Sequence, residues 1–322
     1  MRKELVLPTA LVGMVILYSL INPLRTEHLA MLGAGAGFWF LSRTTRHFVL
    51  SFAPFLAFVW MYDLLRIFAD SAQSRVTIAG VHKLELGLFG VEGAAGILSP
   101  NELLSALHHV VLDVLGGIWY ASHVGVIIML GVYLWWRSRR EKASKAEEIV
   151  YQVRLNRFMW GFFLLNVGMF LVNLLFPVAP PWYVEQYGYA WPTELIGGDP
   201  GGLARLDAFL GIEYFTAVYN QNAYVFGAMP SGHTAYAVWF ALNIRRNTLR
   251  PLGWLYALGM AFFAIYLSHH YLLDVIAGTM LATTVYLLIH RTPVRILPCF
   301  AQRLLERLFD REAEENDTAT AF

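Results

Sequence analysis

An all-α bundle of about eight membrane-crossing helices is the fold that this 322-residue sequence predicts. Three observations carry the prediction. Hydrophobic residues make up 57% of the chain and charged residues only 15%, against roughly a quarter charged in an ordinary soluble domain. The apolar residues come in blocks close to the ~20 residues that cross a hydrocarbon core as a helix. Lysine and arginine collect in alternate connections between those blocks, as the bias of cytoplasmic loops towards positive charge requires.

Taken in order, the blocks give spans at about 5–22, 27–42, 47–67, 111–136, 158–177, 232–249, 252–268 and 270–290. The first follows Arg2 and Lys3 as a signal peptide would, but it lacks a small-residue cleavage site and runs on to Asn22-Pro23, so it reads as a retained span. The second is short and rich in glycine (Gly33, Gly35, Gly37). Less apolar stretches at about 68–110 and 178–230 separate the third from the fourth span and the fifth from the sixth. From Ala301 onward, Arg303, Arg307 and Arg311 alternate with Glu306, Glu312, Glu314 and Glu315, the pattern of a short amphipathic helix and a frayed tail. No internal repeat or low-complexity linker interrupts the chain. The organisation read from these features is an N-terminal pair of helices (1–46), a six-helix membrane domain (47–295) and a cytoplasmic C-terminal segment (296–322).

Charge sets the orientation. Arg137, Arg139, Arg140, Lys142, Lys145, Arg154 and Arg157 follow the fourth span. Arg245, Arg246 and Arg250 follow the sixth, and Arg291 and Arg295 the eighth. With eight spans all three clusters share the cytoplasmic side with Arg2, Lys3, Arg43 and Arg46, so both termini are expected in the cytoplasm. The two long stretches, the start of the sixth span and the seventh–eighth junction then face the periplasm, the cell exterior or a lumen. A net charge of +1 implies no nucleic-acid partner, and the single Cys299 excludes an internal disulfide.

Two motifs on that outer face carry chemistry. Residues 227–234 read Gly-Ala-Met-Pro-Ser-Gly-His-Thr and lead into an apolar helix. Ser231 is a natural N-cap, Gly232 permits close backbone approach, and the free N–H groups of a helix start attract anions. His233, in the first turn, can point at such an anion; the plainer alternative is a capped helix whose histidine meets lipid headgroups. Residues 266–274 read Tyr-Leu-Ser-His-His-Tyr-Leu-Leu-Asp before a second apolar helix. On a helix, His270 and Asp274 would share a face and hydrogen-bond, leaving the other imidazole nitrogen as nucleophile or base. A carboxylate one turn inside a membrane helix needs a partner, and His270 is the nearest. A purely structural His–Asp pair is the alternative.

Pro-Ser-Gly-His, a hairpin of two spans, and then His-x-x-x-Asp resemble the signature of the type-2 phosphatidic acid phosphatase superfamily, over the six spans from about residue 47 to 290. The resemblance implies a six-helix core and catalysis without metal or other cofactor. By it, His270 attacks phosphorus to form a phosphohistidine-type intermediate, Asp274 orients His270, and His233 protonates the departing oxygen. Two features of most superfamily phosphatases are missing: Lys-x6-Arg-Pro ahead of the first motif, and Ser-Arg before the second, where Phe263 and Ala264 stand. Instead, Leu-Leu-Phe-Pro-Val-Ala-Pro-Pro-Trp-Tyr (174–183) and Tyr-Leu-Ser-His-His-Tyr look like the inositol phosphorylceramide synthase (aureobasidin-resistance) branch. That likeness implies transfer of a headgroup phosphate, such as inositol phosphate, from a glycerophospholipid to a lipid hydroxyl. A lipid phosphatase using water and a non-catalytic lipid-binding or transport protein are the rival readings.

The missing cations need replacement, because the transition state at phosphorus concentrates negative charge. Arg66, three residues from Asp63 at the outer end of the third span, is expected to help Ser231 and Gly232 hold the phosphate. An arginine that merely snorkels to headgroups is the alternative. Tyr120 and His123, in the outer half of the fourth span, are expected near the substrate, as are Pro180, Trp182 and Tyr183. Tyr187, Tyr189 and Trp191 suit an interfacial lid or an aromatic belt. His269 reads as a support behind the catalytic histidine or as purely structural, and His82, His108 and His109 as interfacial. A metal centre is disfavoured, because adjacent histidines diverge and no carboxylate pair stands by for a second ion.

Overall fold

The structure, a computed structural model, describes residues 13, 15–73, 75–94, 96–140, 144–191, 197–222 and 224–291. Half of the first expected span, Arg2, Lys3, Lys142, Arg295, Cys299 and the whole 296–322 segment lie outside the described residues. The chain divides into two compact units, residues 54–287 and residues 1–53 with 288–322.

In the smaller unit, α1 (Thr26–Leu41) turns at Ser42 into the start of α2 (Arg43–Gln73). Thr45 makes the turn tight: its hydroxyl donates to the Phe38 carbonyl at 2.6 Å, and its N–H donates to Ser42 Oγ at 3.1 Å. Arg46 closes it from the other side, donating to the Trp39 carbonyl at 3.1 Å with its guanidinium over the indole.

The larger unit holds the rest of α2, then α3 (Ala79–Phe89), a hairpin of β1 (Val91–Gly93) and β2 (Gly96–Leu98), and α4 (Pro100–Ser105). Long helices α5 (Val110–Ser138) and α6 (Lys145–Leu175) follow, then short α7 (Pro181–Tyr187), α8 (Leu203–Leu210) and α9 (Tyr214–Asn220). The unit closes with α10 (Gly232–Asn243), α11 (Arg250–Tyr266) and most of α12 (Leu272–Arg291). Local chemistry sets the starts. Ser99 and Ser144 form capping boxes with Glu102 and Glu147, and Pro100, Pro181 and Pro251 occupy first-turn positions that lack an N–H partner anyway.

Four helices among the described residues are long and apolar enough to cross a bilayer: 43–68 within α2, α5, α6 and α12. With the family evidence below, they make this an integral membrane protein. The sixth expected span, 232–249, is shorter than read. It ends at Asn243 after 12 residues, about 18 Å of helix against a core of ~30 Å. The Asn243 side chain takes the Trp239 carbonyl at 2.8 Å, and the polar run Arg245-Arg246-Asn247-Thr248 returns the backbone to water. Conversely, α6 begins 13 residues ahead of the expected 158, because its capped and charged first turns continue the helix beyond the apolar block.

Small residues let these helices close on one another, the packing device that works where lipid competes for apolar surface. A Cβ on Gly161 would sit 2.3 Å from the Trp239 ring, and one on Gly259 2.5 Å from Trp119. Trp239, Phe158 and Phe162 are fully buried there. The stretches around α3–α4 and α7–α9 form a cap of short elements, stitched by bridges that join Thr77 to Val178 and Val178 to Gly227. That cap shapes the site.

Candidate active site

His233 comes from a device that is local in sequence. Ser231 caps α10 by accepting the Thr234 N–H at 3.2 Å, and its hydroxyl donates to Thr234 Oγ1 at 3.1 Å. The Ser231 N–H donates to the Asp274 carbonyl at 2.9 Å. The starts of α10 and α12 can lie that close because Gly278 has no side chain: a Cβ there would be 2.4 Å from the Ser231 carbonyl oxygen. The first-turn N–H groups of Gly232 and His233 have no intrahelical acceptor, and both residues line a cavity of about 480 Å³. Ser231 is fully buried and does not line it. The expectation that its hydroxyl holds phosphate therefore fails, since the helix cap consumes that hydroxyl.

His270 is held by a device that is not local at all. It precedes α12, in the turn between Tyr266 and Leu272, so the helical i, i+4 geometry expected for His270 and Asp274 does not arise. Asn101, 1% exposed, reaches in from α4 and donates from Nδ2 to the carbonyls of Ile265 at 2.9 Å and of His270 itself at 2.8 Å. Glu85, fully buried on α3, caps α12 by accepting the N–H groups of Leu272 at 2.8 Å and Leu273 at 3.1 Å. Ser268 takes φ 56°, a left-handed conformation uncommon for a residue with a side chain. Its hydroxyl donates to Glu185 at 2.6 Å, and its carbonyl accepts the Trp182 N–H at 2.9 Å. Burial pushes the carboxyl groups of Glu85 and Glu185 above their ordinary range, partly offset by these donors.

The tautomer of His270 follows from its contacts. Nδ1 lies 2.8 Å from the Ala228 carbonyl oxygen, which can only accept, so Nδ1 carries the proton and the lone pair is on Nε2. Nε2 faces His233 Nδ1 at 3.3 Å. Asp274 is fully buried, with Oδ2 at 3.8 Å from His270 Nδ1, beyond hydrogen-bond reach but close enough to act through charge. Oδ2 instead accepts the Tyr271 N–H at 2.8 Å. The carboxylate thus shapes the turn and lends its field to the imidazole, while a backbone carbonyl fixes the ring.

Around this pair the cavity wall is aromatic and polar. Tyr120 stacks on His233 with ring centroids 4.1 Å apart, and His123 lies 4.5 Å from the same ring with Nδ1 on the Tyr120 carbonyl. Pro180 and Trp182 also line the cavity. Tyr183 does not; it is buried behind the wall, with its hydroxyl on the Ala190 carbonyl at 2.8 Å. Asp63 and Arg66 pair as expected, at 2.8 Å, but neither lines the cavity. Arg66 also donates to the backbone carbonyls of Gln221 and Asn222, so it braces these two lining residues while standing outside the lining itself. No lysine or arginine is among the described lining residues.

Three residues were not signalled by motif reading. Asn101 sits in a capping-box sequence, which marks a helix start but says nothing of what the asparagine grips. Glu85 is a lone carboxylate in the apolar run Leu84-Glu85-Leu86, the one hint that it is buried for a reason. His269, read as structural, stacks between Tyr219 (4.7 Å) and Tyr120 (5.1 Å) and lines the cavity. Burial, then repulsion from His270, lowers its pKa to about 3, so it is neutral at physiological pH. Among the described residues no group of three or more His, Cys, Asp or Glu side chains could hold a metal ion.

Residues 87–288, more than half of the chain, match the family model of the PAP2 superfamily. The phosphoinositol dihydroceramide synthase of Bacteroides thetaiotaomicron is 32% identical over 79% of this chain and 81% of its own. The inositol phosphorylceramide synthase catalytic subunit of Saccharomyces cerevisiae is 27% identical over 78% of this chain, which spans 58% of that protein's length. The inositol phosphorylceramide synthase of Candida albicans is 31% identical over 51% of this chain and 34% of its own. No solved structure matches the chain significantly. The chain belongs to the PAP2 superfamily, and its curated relatives are of the inositol phosphorylceramide synthase type.

Proposed function

We propose that this PAP2-superfamily member is a sphingolipid-forming phosphotransferase that moves phosphoinositol from a glycerophospholipid to the primary hydroxyl of a ceramide-type lipid. The observation that carries the reading is the facing pair His270 Nε2 and His233 Nδ1, 3.3 Å apart at the wall of a 480 Å³ cavity. A donor phosphate that displaces this His233–His270 contact meets the lone pair of His270 and, at its leaving oxygen, the acid His233. His270 Nε2 attacks phosphorus as the bond to the diacylglycerol oxygen breaks, and His233 protonates that oxygen. The acceptor hydroxyl then gives its proton to His233 and its oxygen to phosphorus, freeing His270. The Asp274 carboxylate favours the positive charge that builds on His270 while its ring carries the phosphoryl group, and the amides of Gly232 and His233 offer donors to the phosphate oxygens.

A wall without lysine or arginine among its described residues suits a phosphodiester, which carries one negative charge, better than the near-dianion of a phosphomonoester. This favours transfer over phosphatidate hydrolysis. The charge bias of the loops supports a site on the non-cytoplasmic face with both termini in the cytoplasm, and residues 47–295 as the catalytic domain. The test is an assay of purified protein with headgroup-labelled phosphatidylinositol and ceramide. A new labelled sphingolipid with release of diacylglycerol is expected. Release of inorganic phosphate from phosphatidate faster than any transfer would overturn the reading.

A further inference from the structure

Granting that transferase reading, we infer that Asp199, Asn222 and Tyr219 form a polyol subsite that holds the hydroxyl-bearing headgroup of the donor lipid. Asp199 is the only side chain with a formal charge among the described cavity-lining residues, the histidines aside. It is held in one orientation: Oδ1 accepts the Gly201 N–H at 2.6 Å, and Oδ2 accepts from Gln186 Nε2 at 3.0 Å. Each carboxylate oxygen keeps a lone pair for a further donor.

The turn that carries Asp199 fits only where it is. Gly201 takes φ 53°, and a Cβ there would be 2.7 Å from the Leu267 carbonyl oxygen and 3.4 Å from the His269 ring. At Gly198 a Cβ would be 2.2 Å from the Tyr219 carbonyl oxygen. Two glycines thus wedge Asp199 between the turn bearing His270 and the end of α9, in the wall of the same cavity as His233 and His270.

The neighbours complement it. Asn222 Oδ1 accepts from the Tyr62 hydroxyl, which leaves the amide N–H groups of Asn222 to donate. Tyr219, whose ring stacks on His269, brings a hydroxyl that can donate or accept. Carboxylate, amide and phenol in one wall match the donors and acceptors of adjacent hydroxyls on a neutral ring. A headgroup bearing a carboxylate or a second phosphate would face Asp199 with no lining cation to offset it. A quaternary ammonium headgroup has no hydroxyl to donate to Asp199 or to accept from Asn222, so it leaves both side chains without a hydrogen-bond partner.

The experiment uses the full-length enzyme in lipid nanodiscs, with phosphatidylinositol as donor and ceramide as acceptor, and compares wild type with Asp199→Asn and Asn222→Ala. Each variant should raise KM for phosphatidylinositol tenfold or more while kcat falls less than threefold. Free myo-inositol should inhibit wild type competitively and Asp199→Asn at least tenfold more weakly. Phosphatidylcholine should compete more weakly than phosphatidylinositol for the wild-type site. If either variant misfolds, the other and the two wild-type inhibition measurements still decide. KM within twofold of wild type in the folded variants, no inhibition by myo-inositol, or stronger competition by phosphatidylcholine would each overturn the subsite. Wild-type enzyme that transfers nothing from phosphatidylinositol would instead sink the transferase reading on which it rests.

Discussion

The two histidines of the site are held in opposite ways. His233 sits two residues after the cap of its own helix, and the side-chain bonds of that cap lie within three residues, with α12 contributing the Asp274 carbonyl and the close approach at Gly278. His270 stands in a turn whose carbonyls, N–H groups and Ser268 hydroxyl are gripped by Asn101, Glu85, Glu185 and Trp182, between 83 and 188 residues away. His233 is therefore positioned by a short motif, whereas His270 depends on a cap assembled from two distant stretches. A local device tolerates change elsewhere in the chain; a remotely held one transmits it.

The comparison can be broken first at the reacting atoms. His270→Ala should lower kcat by about 10³-fold or more, and His233→Ala by about 10²–10⁴-fold, with membrane insertion and thermal melting little changed. Comparable activity in either variant, measured as ceramide-dependent diacylglycerol release, would remove that residue from the mechanism.

Asn101→Ala comes next. It frees the His270 carbonyl and lets the nucleophile drift, so kcat should fall about 10–100-fold with KM changed by less than a few-fold. The pH profile of the residual activity should keep its shape, because Asn101 does not titrate. A variant that only melts earlier, with kcat intact, would show that the remote frame serves stability alone.

Ser231→Ala tests the local half. Loss of the cap should cost about 1 kcal/mol of stability, read as a lower melting temperature, with kcat/KM reduced less than about threefold. A fall of 10²-fold would mean that the hydroxyl does touch the substrate. His269→Gln probes a smaller effect. Burial lowers His269 from 6.5 to about 3, so the unfolded chain takes up that proton first. Its contribution is therefore fully present above about pH 6.5 and is lost progressively as the pH falls towards 3. The variant should flatten the acid limb of a melting-temperature profile in that window.

Much of this was legible in the residues. Composition and apolar block length identified helices 26–41, 43–73, 110–138, 250–266 and 272–291 to within a few residues at most ends, because hydrocarbon demands runs of apolar helix. The run Pro-Ser-Gly-His marked the α10 start, because a cap is a contact between near neighbours. Three expected substrate contacts share one feature. Arg66, Ser231 and Tyr183 have suitable chemistry, but Arg66 bonds Asp63 and the 221–222 carbonyls, the Ser231 hydroxyl bonds Thr234, and the Tyr183 hydroxyl bonds Ala190. Which partner wins a hydrogen-bonding group is settled by packing, not by residue type.

By itself, then, the sequence determined a helical membrane protein, its loop charge bias, and a histidine pair with an adjacent aspartate. Hydropathy and helix caps act over a few residues and leave their mark in a linear string. Only the tertiary structure decided that a carbonyl, at Ala228, fixes the His270 tautomer, that Asp274 Oδ2 stands 3.8 Å from His270 Nδ1, and that Glu85 and Asn101 hold the turn bearing His270. Those contacts join residues 4 to 188 positions apart. Their strength lies in angles and distances of a few tenths of an ångström, which no local pattern encodes.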